Sequence, residues 1–436
     1  RALVAITNIV EKNPSFTAAL RSWAIDATTQ IYSTGSMVAL FDSDPIRLVG
    51  QETVELSMML EPERSALNER ERILRDLIDA YLPDTEVDED VRRILRAMNG
   101  MTLRDTETAL LRSINEHASI EMDAVLYMKD LLIRKEGVLV PLKSTYGFEA
   151  AGIDHAIAQG LNEYIIGPLR THPDAAKALK KGIPRGVLFI GPPGTGKTWT
   201  SEAFGKELGY PLMKTGKVFS KWLGESQDNM SRVQQICEAY APVLMLFDEV
   251  DRLGKRGGDG HAAHKDVFGT LLSWMGDADR RTVFIATTNV PDQLDDAFIR
   301  EGRFDLIIPL LYPGREAKLK IFKVHTSIID KVPMKKVDFE SLVDMTPKWS
   351  GAEIKGWIEK AKNKAIADNG RKHLLQRDFL DAHSSVRVNE GKRIEMANHF
   401  IDKAREYASD ESFVENVEAG LFVKQGTGRA IRGRSK

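Results

Sequence analysis

Gly191-Pro192-Pro193-Gly194-Thr195-Gly196-Lys197-Thr198 follows directly on the apolar run Gly186-Val187-Leu188-Phe189-Ile190. A glycine-rich turn that leaves a buried strand and opens a helix lets backbone N–H groups face inward around a polyphosphate. In this spacing Lys197 supplies a mobile positive charge and the Thr198 hydroxyl a ligand for Mg2+. The helix expected next, from Trp199 to Leu208, turns its positive end toward the anion. A mere glycine-rich turn is the alternative, and the apolar strand before it argues against that.

Such a loop requires acids at neighbouring strand ends. After Ala241-Pro242, the run Val243-Leu244-Met245-Leu246-Phe247 reads as a buried parallel-type strand, and it ends in Asp248-Glu249. Ligands of open α/β sheets sit beyond the carboxyl ends of the strands, so both acids face the phosphates. Asp248 is expected to hold Mg2+, directly or through water, and Glu249 to polarise the attacking water as general base. A solvated loop after the strand is the plainer reading. A further apolar strand, 283–288, brings Asn289 to the same edge, where it can orient the water or touch the γ-phosphate. Arg300 and Arg303, three apart at an expected helix end, can share one surface patch. A cation added at the transition state accelerates phosphoryl transfer; a solvated helix end is the alternative.

Taken together, GPPGTGKT, LFDEVDRL and ATTNVPDQLDDAFIREGRFD resemble the AAA ATPases, a subgroup of the AAA+ superfamily. The resemblance covers about residues 146–385. It implies a P-loop α/β fold, a parallel sheet flanked by helices, with a helical lid. It also implies ATP and Mg2+ as cofactors and a homo-oligomeric ring, usually hexameric. Arg300 and Arg303 match the arginine-finger positions, which act on ATP bound to the adjacent subunit. Trp349-Ser350-Gly351-Ala352-Glu353 resembles the Ser-Gly-Ala of AAA lids, which places Gly351 and Ala352 with Gly191–Trp199 among the nucleotide-binding residues; Ser350 and Glu353 are spaced as a capping box. Residues 146–154 resemble the segment whose backbone touches adenine, with Ala151 where the family has a second glycine.

The same resemblance places Ser220-Lys221-Trp222-Leu223-Gly224-Glu225-Ser226 at a central channel. There Trp222, flanked by Lys221 and Leu223, would grip a threaded substrate: an aromatic offers contact area without needing specific hydrogen bonds. Trp222 folded into the core is the alternative, and Lys221 beside it favours exposure. Residues 256–264, glycine-rich with His261 and His264, read as a second pore loop rather than a metal site, since no cysteine or carboxylate cluster completes one.

Composition narrows the class. Charged residues make up 28% and the net charge is only −2, so no polybasic field argues for nucleic acid. The single cysteine, Cys237, excludes an internal disulfide, fits a reducing compartment and reads as a buried structural thiol. No apolar run approaches the ~18 residues that cross a bilayer, and no signal peptide is visible. The expected location is cytoplasmic, in a cell, a plastid stroma or a phage-infected host.

Residues 1–135 carry strand-like runs at 2–6 and 36–41, then helical patterns from 61 to about 132. Laid beside 240–385, Asn8 and Ile9 fall where Asp248 and Glu249 stand, Ser43 where Asn289 stands, and Pro45 where Pro291 stands. This stretch reads as the second half of a degenerate ATPase module, with no phosphate loop, no acid pair and no arginine-finger motif. An unrelated α/β adaptor is the other reading. Residues 100–110, 128–139 and 268–275 are similar to the AAA ATPases of a plastid and cyanobacterial open reading frame, in which a degenerate module precedes one active module. The expected boundaries are 1–135, a linker at 136–145, the large ATPase subdomain at 146–312, a helical lid at 313–390, and a C-terminal helix with basic tail at 391–436.

The expected function is an ATP-hydrolysing ring that remodels or threads polypeptides. The alternative is a nucleic-acid-associated motor or loader, resting on Lys217 and Lys221 near the pore and on the basic tail with Lys424, Arg429, Arg432, Arg434 and Lys436. That tail reads first as a frayed, solvated end. A scaffold that binds ATP without turnover is disfavoured because Glu249 is intact. No His-Glu-x-x-His follows the ATPase motifs, which disfavours a fused metalloprotease.

Overall fold

A computed structural model describes residues 3–7, 37–41 and 66–422, apart from 84, 86, 136, 143–144, 216–226, 253–260, 300–302, 369, 387 and 408–409. The chain divides into two units, Arg1–Glu63 and Arg64–Lys436. In the first, β1 (Leu3–Thr7) and β2 (Met37–Phe41) pair in parallel, with Leu3 opposite Met37. Parallel pairing is the arrangement of crossover-connected α/β units. Asn8, Ile9, Ser43 and Pro45 lie outside the described residues.

In the second unit, six strands among the described residues form one sheet. They are β3 (Leu139–Leu142), β4 (Gly186–Ile190), β5 (Leu212–Thr215), β6 (Val243–Phe247), β7 (Thr282–Thr288) and β8 (Leu306–Pro309). Their order is β3–β5–β6–β7–β4–β8; β3 is antiparallel to β5, and the rest are parallel. Every residue of β4, β6, β7 and β8 is buried, as expected of strands covered on both faces. Successive side chains alternate between two cores. Leu188, Ile190, Met245, Phe284 and Ile307 pack into one; Val187, Phe189, Leu244, Ile285 and Ile308 pack into the other.

Residues 139–142 fall within the segment expected as a linker. They form the edge strand, with Leu139 buried and Val140 half-exposed. Pro141 is tolerated there because an edge strand need not donate on its outer side.

The helices α1 (Leu67–Tyr81), α2 (Glu89–Ala97), α3 (Leu103–His117) and α4 (Met122–Lys135) enclose their own core of Leu74, Leu95, Met98, Leu110 and Val125. Thr102 caps α3 by accepting the Asp105 N–H. By contacts these helices group with the sheet, so the division at 63/64 falls inside the stretch 1–135 taken from sequence as one unit. Two polar contacts tie them to the residues just before β6. Asn99 Nδ2 donates to the Ala241 carbonyl at 2.7 Å, and the fully buried Lys129 Nζ to the Tyr240 carbonyl at 2.7 Å.

Beyond the sheet, α5 to α7 are Lys197–Leu208, Gln227–Ala239 and His261–Gly276. A smaller helical layer follows, α8 (Arg315–Lys323), α9 (Phe339–Asp344), α10 (Gly351–Ala367) and α11 (Gln376–His383). It packs around Phe322, Trp349, Trp357 and Phe379. Helices α12 (Glu390–Tyr407) and α13 (Glu411–Phe422) return to the sheet. Phe400, Ile401, Ala404 and Val414 join one of its cores; Phe413 and Val417 join the other. The C-terminal helices therefore complete the α/β layer, and residues 423–436 lie outside the description. No described helix is long and apolar enough to cross a membrane.

Candidate active site

The loop after β4 turns through Gly194 and Gly196, whose φ values of 81° and 93° lie in the left-handed region that side chains disfavour. Helix α5 then starts at Lys197, earlier than the Trp199 expected, so the N–H groups of Lys197 and Thr198 belong to its unpaired first turn. Lys197 is only 7% exposed, and its ammonium donates to the carbonyls of Gly191 and Pro192, each at 2.8 Å. Burial lowers its pKa to about 8, against the opposing pull of Asp248, Glu249 and Asp251.

At the end of β6, Asp248 is held by three donors. Thr287 Oγ1 reaches Oδ1 at 2.6 Å, Lys214 Nζ reaches Oδ2 at 2.7 Å, and Thr198 Oγ1 lies 3.3 and 3.5 Å from the two oxygens. Burial pushes the Asp248 carboxyl up, but the bonds from Lys214, Thr287 and Thr198 outweigh it and hold the group below its ordinary value. It is therefore ionised at neutral pH.

Strand β6 stops at Phe247, so the two acids stand on the turn beyond it and not in the strand. Glu249 has a φ of 55° and donates its N–H to Thr287 Oγ1 at 3.0 Å. Positive φ in a non-glycine residue is held by its surroundings; here the hydroxyl of β7 fixes the turn. Asn289 Nδ2 lies 3.5 Å from Glu249 Oε1. Next to them Thr288 Oγ1 donates to the buried Asp251 at 2.8 Å, pinning the β6 turn to β7.

Lys197, Thr198, Asp248, Glu249, Thr287 and Asn289 line one cleft of about 620 Å³. Lys197, Thr198, Asp248, Glu249 and Asn289 occupy its polar end, while Ala150, Gly152, Ile153, Ile157 and Val324 offer an apolar wall. Trp199 stacks on Tyr146 with ring centroids 5.8 Å apart and lies tilted against His325 at 6.4 Å. The lid closes the other side. The Ala352 N–H donates to the Gly194 carbonyl at 3.2 Å, and Gly351 and Ala352 line the cleft. Ser350 and Glu353 form the capping box at the start of α10. An ion pair from Arg393 of α12 then braces Glu353, and Arg393 also donates to the Lys348 carbonyl at 2.9 Å.

Arg303 does not line this cleft. It stands half-buried with Gln234, Trp274 and Asp277 along a separate groove. Arg300, Lys221, Trp222 and Leu223 lie outside the described residues, as does the glycine-rich run at 253–260; His261 and His264 are described in backbone only, at the start of α7. Among the described residues no group of three histidine, cysteine or acidic side chains could hold a metal. Cys237 is buried, with Sγ 4.0 Å from Met245 Sδ, and burial pushes its thiol pKa up.

Three contributors escape motif reading: Lys214, Thr287 and His325. Lys214 and Thr287 sit where β5 and β7 end beside β6, so their sequence signal is a polar residue closing an apolar run. His325 has none, because its ring meets Trp199 only through the lid's placement.

Residues 187–312 match the family model described as "ATPase family associated with various cellular activities (AAA)". The proteasome-activating nucleotidase of Pyrococcus horikoshii is 34% identical over 245 residues, 54% of this chain and 60% of that protein. The cell division cycle protein 48 homolog of Archaeoglobus fulgidus is 31% identical over 259 residues, 58% of this chain and 35% of that protein. The ATP-dependent zinc metalloprotease FtsH 1 of Thermomicrobium roseum is 32% identical over 268 residues, 58% of this chain and 40% of that protein. The match thus spans less than two thirds of each of these relatives. In fold, the crystal structure of the FIGL-1 AAA domain aligns with a TM-score of 0.54 at 20% identity, over 63% of this chain and 94% of that one. With a phosphate loop facing an acid pair across one sheet edge, the region at 187–312 is an AAA ATPase domain.

Proposed function

We propose that this chain hydrolyses ATP and uses the energy, as a ring, to remodel or thread polypeptides. One observation carries the reading: the phosphate loop with Lys197, the Thr198–Asp248 pair and the Glu249–Asn289 pair converge at the polar end of a single cleft.

The donors fit a magnesium nucleotide. A hydroxyl and an ionised carboxylate within 3.3 Å of each other are hard oxygen ligands of the kind Mg2+ takes. Thr198 and Asp248 would hold it, and when bound it would supply charge neutralisation for phosphate oxygens. Lys197 leaves its two loop carbonyls for the phosphates. Glu249 accepts a proton from water as the water oxygen bonds to the γ-phosphorus, and the bond to the bridging oxygen breaks to leave ADP and inorganic phosphate. Asn289 keeps the Glu249 carboxylate aimed. The apolar wall with Trp199 and Tyr146 takes the base.

In the same proposal Arg300 and Arg303 complete the pocket of the neighbouring protomer in a ring, read as a hexamer. Arg303 lining a groove apart from its own cleft supports that role. Lys221, Trp222 and Leu223 grip the polypeptide. Residues 1–135 serve as the degenerate module of the plastid and cyanobacterial type, which binds no nucleotide of its own. The lone buried thiol supports work in a reducing compartment. The proteasome-activating nucleotidase named above supports a polypeptide over a nucleic acid as substrate. ATPase rate measured with an unfolded protein and with single-stranded DNA tests the choice. Stimulation by the protein alone is expected; stimulation by DNA alone overturns it.

A further inference from the structure

Asp248 has more donors than a carboxylate awaiting a cation needs. Thr287 takes Oδ1 at 2.6 Å, and the Lys214 ammonium takes Oδ2 at 2.7 Å. Lys214 comes from the end of β5, where it pairs in register with Leu246, and its four-carbon stem spans the neighbouring strand end to reach the acid. The pair is partly sheltered, with side-chain exposures of 35% for Lys214 and 20% for Asp248. The charge on Lys214 therefore acts in less than full solvent screening.

A divalent cation taken up by Thr198 and Asp248 meets this ammonium at the same carboxylate. Both cannot hold Oδ2 without strong like-charge repulsion. The Lys214 charge also acts on the carboxyl of Glu202 in α5, pulling its pKa down against the rise that burial imposes. We propose that Lys214 is a built-in competitor for the divalent cation at Asp248, holding the acid charge-compensated until the magnesium nucleotide displaces it, and so setting the magnesium concentration the site requires.

The inference rests on the ATPase reading, and its test separates the two. Binding of a fluorescent ATP analogue to the full chain is followed while free Mg2+ is titrated, for wild type, Lys214→Met and Lys214→Arg. Lys214→Met is expected to lower the half-saturating Mg2+ by roughly three- to tenfold, the scale of losing one partly screened charge. Lys214→Arg keeps the charge and should stay within about twofold of wild type. Lys214→Gln gives the same downward shift should the Met variant fail to fold. In a second readout, MgCl2 without nucleotide should raise the melting temperature of Lys214→Met or Lys214→Gln more than that of wild type.

An unchanged magnesium dependence in the neutral variants overturns the proposal. A shift to higher Mg2+ also overturns it and assigns Lys214 to the phosphates. If the wild-type chain binds no nucleotide at saturating Mg2+, the ATPase reading fails, while the magnesium-only melting shift still decides the role of Lys214.

Discussion

Glu249 stands on a turn with positive φ, held by Thr287 and faced by Asn289, and in the proposed mechanism its removal separates binding from turnover. Glu249→Gln keeps the shape and the hydrogen bond to Asn289 but cannot take a proton. Nucleotide affinity should stay within a few-fold while the steady-state rate falls by about 10²–10⁴, the usual contribution of a general base. Equal turnover in wild type and variant, measured by phosphate release, would remove Glu249 from its assigned role. Lys197→Ala should fail earlier, at binding, because nothing else in the phosphate loop carries a positive charge. Equilibrium binding of labelled ATP reads that loss directly. Motif spacing makes Lys197, Thr198, Asp248 and Glu249 legible in the sequence, since each is defined by its few nearest neighbours in the chain. Lys214 and Thr287 are not, because their contact with Asp248 depends on which strands lie side by side.

At the scale of elements, the strand ends and helix starts that shape the cleft follow from local chemistry. The apolar runs at 186–190, 243–247 and 282–288 become the central strands, and Ser350 with Glu353 marks the start of α10. Residues 139–142 were harder to place. A short run containing Pro141 reads as a connection, and only pairing with β5 makes it a strand. The destination of α12 and α13 is equally non-local, since their apolar faces would suit the lid as well as the sheet. The capping box has a consequence of its own. Ser350 Oγ accepts the Glu353 N–H at 3.4 Å, Glu353 Oε2 accepts the Ser350 N–H at 2.8 Å, and Ala352 between them donates to the Gly194 carbonyl. Ser350→Ala should therefore destabilise the chain by about 1 kcal/mol, as loss of an N-cap does. It should also weaken nucleotide binding, because Ala352 is no longer held against the phosphate loop. A lower denaturation midpoint with unaltered affinity would confine the box to stability.

For the whole molecule, the proposed ring makes the site a shared one, with the arginines of one copy completing the pocket of the next. Lys197, Thr198, Asp248 and Glu249 line the cleft, whereas Arg303 stands on a different groove with Gln234, Trp274 and Asp277. On that proposal a guanidinium reaches each pocket from a second copy, and a mixing experiment reads this. Arg300→Ala/Arg303→Ala protomers have an intact pocket and no guanidinium to lend. Glu249→Gln protomers have a guanidinium to lend and a pocket that cannot turn over. Each alone should be nearly inactive. In randomly mixed rings at equal amounts, a site works only where an arginine-less protomer meets a Glu249→Gln neighbour on the correct side, so activity should return to about a quarter of wild type. Random assembly makes this recovery depend on the product of the two fractions, with its maximum at equal mixing. Recovery absent at every ratio, although sedimentation shows the two variants in common rings, would mean that the arginines act within their own chain or not at all. Full activity of the arginine-less variant by itself would show that the pocket is complete without them.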